Sequence, residues 1–110
     1  MYKSVVQPLE KEIEAYFAHK VKAAGGWTIK FQSEGNAGVP DRIVFWPDRP
    51  IEFAEIKRPG GKLRPLQVSM CKKISTFGVP VYIVDSKEAA DQYIGGCLRA
   101  GFINGERVNQ

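Results

Sequence analysis

Residues 38–57 read Gly-Val-Pro-Asp-Arg-Ile-Val-Phe-Trp-Pro-Asp-Arg-Pro-Ile-Glu-Phe-Ala-Glu-Ile-Lys, two apolar runs around a Pro- and Asp-containing break. Asp41 to Trp46 and Ile51 to Ile56 have strand composition, and Pro47-Asp48-Arg49-Pro50 suits a hairpin loop of about four residues. Asp41 heads the first strand, and Glu55 and Lys57 end the second. Alternate residues of a strand point to one face, so Glu55 and Lys57 share a face and the hairpin can bring Asp41 beside them. Charged side chains seldom sit in apolar strands without partners, so this cluster invites a chemical explanation.

Working outward, residues 8–24 read as a helix that begins at Pro8 and ends at Gly25-Gly26. Its apolar stripe is Leu9, Ile13, Phe17 and Val21, with Tyr16 beside it. Residues 27–32 alternate apolar and polar as a strand does, and residues 33–39 form a glycine-containing loop. Beyond the hairpin, Arg58 to Arg64 is a loop rich in Gly, Lys and Arg. Pro65 opens a helix to Phe77 whose expected stripe is Leu66, Met70, Ile74 and Phe77. Val79 to Val84 reads as a strand buried on both faces, and Ser86 can cap a helix over 87–98. The stretch from Gly101 to Gln110 reads as a polar tail with little packing signal. The order α-β-β-β-α-β-α predicts a mixed four-stranded sheet flanked by helices.

The chain has 110 residues, 44% of them apolar, which suits one domain over 1–110 with a modest core. No apolar run approaches the ~20 residues that span a bilayer, and the N-terminal stretch lacks a leader's apolar segment. A cytoplasmic protein is the expectation. Cys71 and Cys97 lack metal-ligand spacing and are expected as a reduced, buried pair. The lone histidine, His19, argues against zinc sites and histidine-based nuclease chemistry and is expected near the surface. Trp27 and Trp46 are expected in the core. The net charge is +4, and Lys57, Arg58, Lys62 and Arg64 concentrate it just after the acid pair. Such a run beside two carboxylates suits contact with a phosphate backbone.

Two carboxylates offer hard oxygen ligands of the kind Mg²⁺ or Mn²⁺ uses. A lysine beside them offers a positive donor to a phosphate or to an attacking water. Asp41, Glu55 and Lys57 together point to metal-assisted phosphodiester hydrolysis.

This set resembles the PD-(D/E)XK nuclease superfamily, with Pro40-Asp41 as the PD and Glu55-Ile56-Lys57 as the ExK. It is most similar to the VRR-NUC branch. Gly-Val-Pro-Asp at 38–41, Lys57-Arg58-Pro59-Gly60-Gly61-Lys62-Leu63, Gln67 and Glu10-Lys11-Glu12-Ile13-Glu14 carry that likeness over roughly residues 8–95. The resemblance implies a restriction-endonuclease-like αβββαβα core. It implies a metal held by Asp41, Glu55 and the backbone carbonyl of Ile56. Lys57 would orient the attacking water and neutralise the transition state, and Gln67 would face the site. It also implies a helical acid near the metal, a role for which Glu10 and Glu14 both qualify. Lys30 and Ser33 loosely match a basic residue and a serine of junction-cleaving relatives, and Arg58, Lys62 and Arg64 would hold the DNA backbone. Minimal members of this kind resemble Holliday-junction resolvases, which implies branched DNA as substrate and a two-fold homodimer. The dimer contact is expected near Tyr16 and the Trp46 strand. A flap or single-strand nuclease, and a non-catalytic DNA-binding module of the same fold, are the alternatives.

Overall fold

The computed structural model describes residues 8–108; Met1 to Gln7, read above as lacking a leader, lie outside the described residues with Asn109 and Gln110. The elements run α1 (Glu10–Ala23), β1 (Trp27–Lys30), β2 (Arg42–Trp46), β3 (Arg49–Ile56), α2 (Pro65–Thr76), β4 (Val81–Val84), α3 (Lys87–Ile94), β5 (Phe102–Ile103) and β6 (Glu106–Arg107). The expected α-β-β-β-α-β-α order is present, and a terminal hairpin extends it.

The strands form one sheet in the order β1-β2-β3-β4-β5-β6, so the sheet is six-stranded, not four-stranded. β1, β2 and β3 are an antiparallel meander, and α2 crosses over to set β4 parallel to β3. The two additional strands come from the supposed polar tail. Asn104 and Gly105, at φ 50° and 84°, make the two-residue turn between β5 and β6. Asn-Gly readily takes the positive φ values such a turn demands. Phe102 anchors this hairpin with no exposed surface.

Trp46 pairs with Arg49, so the β2–β3 turn is Pro47-Asp48 alone, shorter than the expected four-residue loop. A register shift between Val44 and Trp46 takes up one residue and lets Arg49 and Pro50 join β3. No helix among the described residues is long and apolar enough to cross a membrane.

Each sheet face carries its own apolar cluster. On one, Ile13, Phe17 and Val21 of α1 meet Val44, Ala54, Ile56 and Val84, with Ala89, Ala90 and Tyr93 of α3. On the other, Phe53, Val81 and Phe102 meet Cys71 of α2. α1 keeps its predicted stripe except Leu9, which is exposed.

α2 does not keep its own. Gln67, Cys71 and Ser75 are its buried line, while Leu66 and Phe77 of the expected stripe are exposed. The helix is turned so that Gln67 meets charged groups at the end of β3, and those polar contacts outrank a weak apolar periodicity. α3 stops at Ile94, short of Leu98, because Gly95-Gly96 follows. Cys97 is exposed, so the two cysteines are not a buried pair, although both are free. Trp46 is half-buried, with its Nε1–H donating to the Tyr93 hydroxyl at 2.9 Å. Trp27 is 60% exposed, against expectation. It lies on the edge strand β1, over which α2 does not extend.

Candidate active site

Asp41 enters the site from a constrained loop. Gly38 has φ +85°, and a Cβ there would lie 2.8 Å from the Leu66 carbonyl oxygen. Only glycine combines that conformation with so close an approach. Gly38 thereby lays the loop against the start of α2, and the buried Pro40 leads directly into Asp41.

The β2–β3 register pairs Arg42 with Ala54, and one step further sets Asp41 opposite Glu55. Asp41 Oδ2 accepts the Ile56 N–H at 2.7 Å, which fixes the carboxylate against the end of β3. Glu55 is 1% exposed. Its Oε2 accepts from Gln67 Nε2 at 3.1 Å, and Lys57 Nζ lies 3.5 Å from the same oxygen. Lys57 Nζ also donates to Gln67 Oε1 at 3.1 Å. That oxygen accepts the Arg64 N–H at 2.8 Å as well. Gln67 therefore orients the acid, the lysine and the end of the basic loop together.

Glu55 Oε1 is the one buried side-chain oxygen or nitrogen among the described residues with no hydrogen-bond partner. Burial first, and then the Asp41 charge, push the Glu55 carboxyl up to about 7, with Lys57 opposing the rise. The Asp41 carboxyl is raised too, chiefly by burial, against the pull of the Ile56 N–H. The charges of Glu10 and Glu14 add to that rise. A buried polar atom without a partner is costly, and two neighbouring acids both driven toward protonation are in a strained electrostatic state. A cation relieves both.

No group of three or more His, Cys, Asp or Glu side chains suited to a metal ion occurs among the described residues. The protein oxygens on offer are then two carboxylates and backbone carbonyls. This donor set fits Mg²⁺, which keeps several waters and takes one or two carboxylates.

The two candidate helical acids differ. Glu14 accepts from Arg42 Nη1 at 2.8 Å, and the Arg42 Nε donates to Thr28 Oγ1 at 3.2 Å. Glu10 lies one turn nearer the helix start, and its charge acts on both Asp41 and Glu55. Arg58, Lys62 and Arg64 are all exposed. Their loop opens with a tight turn in which the Gly61 N–H donates to the Arg58 carbonyl at 2.9 Å, and it ends at Arg64, whose N–H is held by Gln67. Lys30 is exposed at the end of β1. Ser33 is tied into its own loop, where its Oγ accepts from Asn36 Nδ2 at 3.1 Å.

Sequence reasoning missed two supports. Arg42, 9% exposed, pins Glu14 to the sheet, and its inward strand position beside Val44 and Trp46 was the available signal. Gly38 read as part of a glycine-containing loop and of the Gly-Val-Pro-Asp likeness, but its close approach to α2 has no local signature.

No family model matches the chain. The "Putative nuclease p44" of Acyrthosiphon pisum secondary endosymbiont phage 1 is 38% identical over 79 residues, covering 72% of this chain and 85% of that protein. A solved structure of a "VRR_NUC domain" superposes with a TM-score of 0.73 at 30% identity, over 78% of this chain and 94% of the other. The chain belongs to the VRR-NUC nuclease family. In this VRR-NUC nuclease the Pro40-Asp41 and Glu55-Ile56-Lys57 motifs lie on adjacent strands, and Gln67 of the following helix joins them.

Proposed function

We propose that the protein is a Mg²⁺- or Mn²⁺-dependent endodeoxyribonuclease of restriction-endonuclease-like fold, selective for branched DNA. The observation that carries this reading is the partnerless Oε1 of the buried Glu55 beside a second raised carboxyl. Asp41, Glu55 and the carbonyl of Ile56 would hold the ion. When bound, it supplies positive charge to the phosphate and a more acidic water.

The chain's own groups do the rest. Lys57, held by Gln67, offers its ammonium to the charge that develops on the phosphorus oxygens during attack. Glu10, exposed and acting on both site carboxyls, rather than the Arg42-bound Glu14, is the acid to meet the water or a second ion. Arg58, Lys62 and Arg64 flank the site as backbone contacts, and Lys30, cross-strand to Arg42 on the other sheet face, and Ser33, held by its local bond, are weaker candidates.

Resolving a four-way junction needs two opposed cuts, and each chain carries one such site, so the proposal includes a two-fold homodimer. Tyr16 and Trp46 are poor centres for its contact. The Tyr16 hydroxyl donates to Asp91 at 2.8 Å, and Trp46 is engaged with Tyr93.

The test is cleavage of a four-way junction, a flap and a single strand, with Mg²⁺ and with EDTA, by wild type and Asp41→Ala. Metal-dependent junction cutting that Asp41→Ala lacks is expected. Asp41→Ala should also lose the rise in melting temperature that Mg²⁺ gives the wild type. Metal-dependent cutting of flaps alone by a strict monomer would select the flap reading. Folded wild type that cuts nothing would select the non-catalytic one.

A further inference from the structure

The sheet face that carries Asp41 and Glu55 is only partly covered. Among the described residues, α2 packs over β4, β5 and β6, and no helix packs extensively on the β1–β2 end of this face. There Trp27, on the edge strand, pairs with Phe45, and Ile29 pairs with Ile43. The Trp27 and Phe45 rings stack at 4.9 Å between centroids. Trp27 is nevertheless 60% exposed and Ile29 36% exposed. This apolar strip leads directly to the site, because Phe31 N–H donates to the Asp41 carbonyl at 2.8 Å. At about 3.4 Å per residue, Phe45 lies roughly 14 Å along the strand from Asp41. A short run of unpaired nucleotides spans that distance.

We propose that Trp27, Phe45 and Ile29 form a stacking shelf for unpaired bases of the DNA strand whose phosphate lies at Asp41 and Glu55. The inference rests on the nuclease reading above and names the feature of the substrate that the site selects. Charge complementarity supports this occupant. Arg58, Lys62 and Arg64 stand exposed beyond the site, on the loop that follows Lys57. A strand crossing the face therefore meets base-stacking rings at one end and cations along its backbone. Rings of this kind accept any base, since every base has a π-face.

A second copy of the chain is the rival occupant and fits less well. A stable interface takes about 800 Å² from each partner. An aromatic side chain contributes about 150–250 Å² even when fully buried. Two aromatic rings, one already partly covered by the other, and a half-exposed isoleucine fall short of that area.

The experiment measures binding in EDTA by wild type, Trp27→Ala and Trp27→Phe, using oligothymidylate, a forked duplex and a blunt duplex of equal length. Circular dichroism and sedimentation velocity accompany each variant. Trp27→Ala should weaken the oligothymidylate and the fork by at least about fivefold and leave the blunt duplex unchanged. Trp27→Phe should keep most of the affinity. Equal loss on all three DNAs, or no loss on any, overturns the shelf. Conversion of a dimer to a monomer by Trp27→Ala also overturns it and gives the face to a second copy. The underlying reading fails separately, if wild type cuts neither these DNAs nor a four-way junction with Mg²⁺ or Mn²⁺.

Discussion

Glu52 and Glu55 are three residues apart on β3 and both are buried, yet they lie on opposite faces of the sheet in opposite states. Glu52 has a partner for each oxygen: the Tyr93 hydroxyl donates to Oε1, and Arg49 Nε donates to Oε2 at 3.3 Å. Burial first, and then that bond, raise the Tyr93 hydroxyl's pKa well above that of a free tyrosine. Glu55 has one oxygen with a donor and one with none. The first arrangement closes a polar network inside a core, which fixes the packing of α3 on the sheet. The second leaves binding capacity unused at the end of a strand, beside the half-buried Asp41. Burial alone does not distinguish a structural acid from a chemical one; what distinguishes them is whether their hydrogen bonds are complete.

The largest effect should come from exchanging the two roles. Glu55→Gln should abolish metal-dependent cleavage and leave the fold intact. Glu52→Ala should do the reverse. It removes the acceptor of the buried Tyr93 hydroxyl and the partner of the exposed Arg49, and a buried hydroxyl left unsatisfied costs about 1–3 kcal/mol. Residual folded protein should still cut. Chemical denaturation and single-turnover cleavage on both variants test this, and a Glu52→Ala protein that is stable but inactive would collapse the comparison.

Lys57 sharpens the comparison, because it is the cation that Glu55 shares with Gln67. Lys57→Ala should slow cleavage by about 10²–10³-fold, the loss typical of one transition-state donor, with a much smaller change in DNA affinity. Equal losses in rate and affinity would make Lys57 an ordinary phosphate contact.

A smaller effect is the pH dependence of stability in metal-free protein. The Glu55 carboxyl is raised to about 7 in the folded state, so the folded chain holds its proton more tightly than the unfolded one. Stability from this group is then fully present below the unfolded carboxyl range and is lost as pH rises toward 7. Wild type should lose up to a few kcal/mol relative to Glu55→Gln between about pH 4.5 and 7, and no more above that. Melting curves in EDTA across that range decide it. Parallel curves for the two proteins would mean that Glu55 is not strained.

The sequence made the triad legible for a physical reason. Inward charges interrupting a period-two apolar pattern are rare, and Asp41, Glu55 and Lys57 do so on a short hairpin. Gln67 was legible only through family likeness, because one glutamine in a helix looks like surface. The turning of α2 around it was correspondingly misread. Trp27 was misassigned because apolar alternation predicts a buried face, and whether a helix covers that face is decided by the far end of the chain. The terminal hairpin was missed although Asn104-Gly105 marks its turn, since two-residue strands carry almost no periodicity. Glu52 passed unnoticed because its partner, Tyr93, lies 41 positions away.

The site is compact along the chain as well as in space. Asp41, Ile56, Lys57 and Gln67 are linked by bonds that span at most 15 positions, and the β2–β3 turn has two residues. Closing such short loops costs little chain entropy, so this hairpin and the start of α2 can form early in folding, before α3 and the β5–β6 hairpin dock. Substitution of Val44 should therefore slow folding, whereas substitution of Phe102 should mainly hasten unfolding, a difference that stopped-flow kinetics would reveal. The carboxylate pair is then assembled while the chain is still incomplete, and divalent ions present during refolding should accelerate it.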